Sequence, residues 1–295
     1  MQDILDLIGQ TPLVQIHDDQ IPAEVNLLAK LESANPGGSV KDRTALGMIR
    51  GAMERGALHE GDKIIEATSG NTGIALAMIA RQFGLSMTLV MPENSTQERI
   101  DTMKAYGGRV ILTPAEKTIE YSRKLAEEMA EEEGYYILNQ FNNPDNYKIH
   151  YQTTGPEIWE ATSGDVTHFV SSMGTTGTIM GVSRYLKEKN KAVKIIGAQP
   201  SEGSNIPGIR RWSPEYLPKI FEPDRVDYTR EVSRRNAIEH MKTLARDHGI
   251  FAGMSSGGAF SIARDLALTL TNPATIVFIV CDLGDRYLSS GIYSE

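Results

Sequence analysis

Four short stretches of this sequence combine residue types and spacing suited to holding a charged small molecule. Gly174-Thr175-Thr176-Gly177-Thr178 follows an apolar run and precedes a helical pattern. Glycines let the backbone come close to an anion, threonine hydroxyls add donors, and a helix N-terminus favours negative charge. The stretch has no lysine of the kind that completes a nucleotide-hydrolase loop, and it lacks the Gly-x-Gly-x-x-Gly spacing of dinucleotide binders. A small terminal phosphate suits it best; the alternative is a tight strand-to-helix turn with no ligand. Thr68-Ser69-Gly70-Asn71-Thr72 stands in the same relation to another strand and helix. Its amides and hydroxyls can surround a carboxylate, or they serve only to cap the helix.

The third stretch is Asn35-Pro36-Gly37-Gly38-Ser39-Val40-Lys41-Asp42-Arg43, a turn that feeds a helix with Lys41 near its start. The positive end of a helix and burial both disfavour an ammonium, so this lysine is placed to present the free amine that attacks carbonyl groups. Asp42 and Arg43 could pair and cap the same helix. The fourth, Gly253-Met254-Ser255-Ser256-Gly257-Gly258, again opens a helix. It is either a bare turn or a means of placing a serine hydroxyl against a heterocycle nitrogen.

Metal, redox and nucleic-acid chemistry find little support. The single cysteine, Cys281, excludes an internal disulfide and reads as a small residue in a buried strand, and the six histidines have no metal-binding spacing. The formal charge of −8 argues against a broad nucleic-acid surface. No run is long and apolar enough to span a bilayer, and Met1 to Gly9 has neither the basic flank nor the apolar core of a signal peptide, so a cytoplasmic protein is expected.

The elements around these stretches follow an alternating pattern. Strands are expected at Val25–Leu31, Lys63–Ala67, Met87–Met91, Arg109–Leu112, His168–Ser172, Val193–Gln199 and Thr275–Cys281. Helices are expected at Asp42–Arg55, Thr72–Phe83, Thr96–Tyr106, from Pro114 to Gly134, and at Pro144–Trp159, Gly177–Glu188, Ser233–Asp247 and Gly257–Leu270. Such alternation marks parallel sheets covered by helices, in two sets that meet near residue 145. Ligands of open α/β sheets sit beyond the C-terminal ends of strands, where the unusual stretches fall. The proline-bearing segment from Pro200 to Asp224 reads as a functional loop or lid.

Taken in order, the four stretches resemble the β-family of pyridoxal-phosphate enzymes, and within it the cysteine synthases (O-acetylserine sulfhydrylases). The resemblance runs from Ile8-Gly9-Gln10-Thr11-Pro12-Leu13 to Gly284-Asp285-Arg286-Tyr287-Leu288-Ser289. It implies an α/β fold of the tryptophan-synthase-β type (fold type II), with two open α/β domains and a cofactor cleft between them. The smaller, mobile domain would be 38–146, and the larger would join 1–37 to 147–295.

The resemblance further implies that Lys41 carries pyridoxal 5'-phosphate as a Schiff base and, when freed, acts as general base. Gly174, Thr175, Thr176, Gly177 and Thr178 would bind the cofactor phosphate, Asn71 the ring hydroxyl, and Ser255 the pyridine nitrogen. Thr68, Ser69, Asn71 and Thr72, with Gln140, would hold the substrate carboxylate. Arg210 and Arg211 resemble the B type, which implies acceptance of thiosulfate besides sulfide in replacing the acetate of O-acetylserine, giving S-sulfocysteine or cysteine. Both arginines could instead pair with nearby acids and only shape the loop. A homodimer is implied, without a metal, a membrane or a stable complex with serine acetyltransferase.

Overall fold

The computed structural model describes residues 3–293. In chain order they form β1 (Leu13–Gln15), β2 (Val25–Leu31), α1 (Lys41–Glu54), β3 (Lys63–Ala67), α2 (Asn71–Gln82), β4 (Ser86–Pro92), α3 (Gln97–Ala105), β5 (Arg109–Thr113), α4 (Thr118–Glu133) and β6 (Tyr136–Ile137). There follow α5 (Asp145–Gln152), α6 (Thr154–Ala161), β7 (His168–Ser172), α7 (Gly177–Lys189), β8 (Lys194–Pro200), β9 (Tyr228–Val232), α8 (Arg234–His248), α9 (Met254–Thr269) and β10 (Ala274–Val280). Contacts divide the chain into two units. One takes in the chain up to Ile8 with Lys41–Asn146, and the other takes in Gly9–Val40 with the chain from Tyr147 onward.

The first unit is built on a four-stranded sheet of order β5-β4-β3-β6, parallel throughout. Successive strand residues point to opposite faces. Ile64 therefore joins a core with Ile49 of α1 and Ile74 of α2, while Ile65 joins one with Ala126 of α4. Covering both faces is what demands apolar runs such as Leu89-Val90-Met91 of β4, and each such side chain stabilises the fold by about 1.5–3 kcal/mol. The chain lays down β3, β4 and β5 in one direction and then returns to β6 on the far side of β3. The order reverses between β3 and β6, which is where open parallel sheets bind ligands.

The second unit carries a six-stranded sheet of order β1-β2-β10-β7-β8-β9, in which only β1 runs antiparallel. All seven residues of β10 are buried. Here β7, β8 and β9 step outward and β10 returns on the other side of β7, so this reversal lies between β7 and β10.

The structure departs from the sequence pattern in several places. The helix expected over Pro144–Trp159 is two helices, α5 and α6, parted at Thr153. Pro156 has no N–H for the Gln152 carbonyl and its ring crowds that carbonyl, so the helix must restart. Helix α9 begins at Met254 rather than Gly257, which brings Ser255 into its first turn. Cys281 lies one residue past β10 and is half-buried, not inside the strand. Among the described residues no helix is long and apolar enough to cross a membrane.

Candidate active site

Each of the four stretches meets the start of a helix. Lys41 is the first residue of α1, Asn71 of α2 and Gly177 of α7, and Ser255 is the second of α9. In each case backbone N–H groups of the first turn have no carbonyl within the helix to bond, which makes these positions natural sites for negative charge.

In the first unit, the loops at the β3/β6 reversal come together. Thr68 and Thr72 are buried, Ser69 and Asn71 are half-buried, and Gln140 is buried. The Thr72 hydroxyl donates to Gln140 Oε1 at 2.8 Å. With its oxygen engaged, the Gln140 amide presents its NH2 group as a donor. The Gln140 carbonyl accepts from Asn146 Nδ2 at 2.7 Å, and Asn146 Oδ1 accepts from the Thr44 hydroxyl at 3.1 Å. Thr44 lies in the first turn of α1, three residues after Lys41, so the helix that begins with the lysine is tied to the Gln140 loop. Lys41 itself is half-buried, and Asp42 and Arg43 beside it are buried.

In the second unit, three separate loops meet past the end of β7. Trp212 donates its indole N–H to the Gly174 carbonyl at 2.9 Å, and the Arg210 N–H donates to the Met173 carbonyl at 2.9 Å. A Cβ on Gly174 would lie 2.7 Å from the Gly208 carbonyl oxygen, so only glycine allows this approach. The Ser172 hydroxyl donates to the Ser255 carbonyl at 2.7 Å, and Ser255 is buried.

Thr176 ends the loop in a left-handed conformation, with φ of +70°, which costs a threonine about 1–3 kcal/mol. Its Oγ1 is buried and has no hydrogen-bond partner. Thr175 Oγ1 accepts the Gly177 N–H at 3.3 Å. A phosphate oxygen at the start of α7 would supply the partner that Thr176 Oγ1 lacks, so these residues fit a phosphate-bearing cofactor.

Arg210 and Arg211 are both exposed. Arg211 Nη1 pairs with Glu231 Oε1 at 2.5 Å, while the Arg210 guanidinium lies 5.4 Å from the centre of the Trp212 ring.

Three further residues touch these loops and were not singled out in the sequence. His150 is fully buried between Thr178 Oγ1, 3.3 Å from its Nε2, and Thr154 Oγ1, 2.8 Å from its Nδ1. Asn146 is the link to α1 described above. Glu66 on β3 is buried and accepts the Asn139 N–H at 3.2 Å. A charged residue inside the run Lys63–Ala67, two places before the polar loop Thr68–Thr72, is the signal that could have marked it.

Comparison with known proteins points to one group. The pattern of the family described as "Pyridoxal-phosphate dependent enzyme" matches residues 4–282. Cysteine synthase B of Pseudomonas aeruginosa is 56% identical, over 98% of this chain and 97% of its own. That of Escherichia coli is 53% identical, over 100% of this chain and 97% of its own. The crystal structure of the Entamoeba histolytica cysteine synthase superposes with a TM-score of 0.95 at 38% identity, covering 100% of this chain and 91% of the other.

Proposed function

The chain belongs to the pyridoxal-phosphate dependent enzyme family, and we propose that it makes cysteine by replacing the acetate of O-acetylserine with sulfide. What carries the reading is the pair of anion-binding loops at the two strand-order reversals, in a chain 53–56% identical to cysteine synthase B from end to end.

When bound, the cofactor withdraws electrons from the amino acid's Cα, which makes loss of a proton there and of the β-substituent feasible. The chain's own residues do the rest. Thr175, Thr176, Gly177 and Thr178, with Gly174, would hold the cofactor phosphate, the helix dipole of α7 adding to their amides. His150 sets the orientation of the Thr178 hydroxyl. Asn71 would hold the ring hydroxyl. Ser255 would be the neutral partner of the pyridine nitrogen, which would keep the electron withdrawal moderate.

Lys41 would hold the cofactor through its amine, which when free would take the Cα proton as general base. Thr68, Ser69, Asn71, Thr72 and the Gln140 amide take the substrate carboxylate. That contact fixes the amino acid so the Cα–H bond meets the lysine amine, which is where binding energy becomes rate.

Within this reading the chain is of the B type and accepts thiosulfate as well as sulfide. Arg210, whose guanidinium is exposed beside the Trp212 ring, is the residue that meets the larger anion, since a guanidinium suits an oxyanion geometrically. The working form is a cytoplasmic homodimer. The test is product analysis with O-acetylserine, serine and O-phosphoserine, each supplied with sulfide and then thiosulfate. Cysteine formed fastest from O-acetylserine and sulfide supports the proposal, and preference for free serine overturns it. Arg210→Ala should lower thiosulfate turnover about tenfold, the worth of one charge-assisted hydrogen bond, with sulfide turnover unchanged. Equal loss of both refutes the thiosulfate role.

A further inference from the structure

Glu66 is an acid without a place in the chemistry described above. It sits in β3 with 5% of its surface exposed, and its carboxylate Oε2 accepts the N–H of Asn139 at 3.2 Å. Asn139 is a non-glycine residue held at φ of +53°. A residue in that conformation persists only where its surroundings hold it. Here both sides of Asn139 are held: Glu66 takes its N–H, and its carbonyl accepts the N–H groups of Asn142 and Asn143 at 3.0 Å each. The next residue is Gln140, whose amide oxygen is engaged by Thr72.

We propose that Glu66 is a positioning residue which, as a carboxylate, holds the Asn139 turn so that the Gln140 amide is aimed at the substrate's carboxylate. The proposal rests on the reading of Gln140 and Thr72 as carboxylate-binding residues. Ionised Glu66 is purely an acceptor, matched to the backbone N–H groups around it. Protonated, it keeps an acceptor oxygen but loses its charge, and its O–H finds no acceptor among those N–H groups, so its hold on the turn weakens.

The balance lies within the working pH range. Burial pushes the Glu66 carboxyl up to about 7, while the N–H groups of Asn139, Gln140 and Leu138 and the charge of Arg123 hold it down. Of the elements packed against β3, the strands β4 and β6 carry no charged residue. Helix α4 contributes Arg123, which also lies over the Phe141 ring at 4.8 Å.

The experiment uses L-alanine, which has the substrate's amine and carboxylate and no leaving group, with the cofactor-loaded protein. Its dissociation constant is read from the cofactor's absorbance between pH 6 and 8. Deprotonation of the amino acid gives a slope common to all variants, so the comparison with Glu66→Gln isolates the glutamate. Gln keeps an acceptor oxygen and does not titrate.

Wild-type binding should weaken by up to about eightfold more than that of Glu66→Gln between pH 7.5 and 6, as expected for a group half-ionised near 7. Identical slopes in the two proteins overturn the proposal. Absence of any response to alanine in the wild type overturns the underlying reading and the proposal with it. Should the variant not fold, hydrogen exchange of the wild-type Leu138–Gln140 amides carries the test. Corrected for intrinsic rates, exchange faster at pH 6 than at pH 8 supports the anchor, and equal protection refutes it.

Discussion

The indole N–H of Trp212 donates to the carbonyl of Gly174 at 2.9 Å, so the proline-bearing segment and the loop at the start of α7 are joined by a direct bond. Trp212→Phe keeps a ring at that position and removes the donor. Losing one hydrogen bond of about 1–1.5 kcal/mol should weaken cofactor retention about tenfold. Equilibrium dialysis against free pyridoxal phosphate checks this, and unchanged retention would show that the bond is incidental to cofactor binding.

His150 is expected to act through Thr178. His150→Asn can still meet Thr154 with its shorter side chain but falls short of Thr178, which then loses a partner 3.3 Å away. Cofactor affinity should fall by about tenfold. The fall should appear at every pH at which the protein is folded, and affinity equal to that of the wild type would contradict the role.

Glu66 should leave a mark on stability of a particular sign. Its carboxyl is raised from 4.5 to about 7 by burial, so between those values the folded state holds a proton that the unfolded chain has released. Its contribution is fully present below pH 4.5 and is lost as the pH rises through about 7. That loss is on the order of 3 kcal/mol. Glu66→Gln should therefore melt at a temperature closer to, or above, that of the wild type at pH 8 than at pH 5. Denaturant titration at both pH values measures the difference, and a pH-independent offset between the proteins would contradict it. The placement of an acid that costs stability when ionised is the trade expected of a functional group.

How far the fold could be read depended on burial. Lys63–Ala67 and His168–Ser172 agree with the apolar pattern at both ends because they lie inside parallel sheets with both faces covered. The strands that the pattern does not reveal are β1, β6 and β9, and all three are sheet edges. The sequence of β9, Tyr-Thr-Arg-Glu-Val, is exposed at four of its five positions, so it never needed an apolar run. Pro156 is plain in the sequence, but the periodicity of Pro144–Trp159 does not show that it splits α5 from α6.

The same contrast holds at the site. The glycine-, threonine- and serine-rich stretches show themselves because a chain can open a helix against an anion in few ways. Their supports do not: His150, Asn146 and Glu66 lie 28, 6 and 73 residues from Thr178, Gln140 and Asn139 respectively. Tertiary packing brings Glu66 to Asn139 and His150 to Thr178, and local periodicity does not record it.

Lys41 is proposed to hold the cofactor and to move the Cα proton while sulfide replaces acetate. The most direct measurement is the visible absorbance of the purified protein as O-acetylserine and then sulfide are added, with Lys41→Ala in parallel. The wild-type band should shift on the first addition and return on the second, and the variant should fail to cycle. A variant that cycles at the wild-type rate, or a wild-type protein with no visible band after loading with pyridoxal phosphate, would contradict the account.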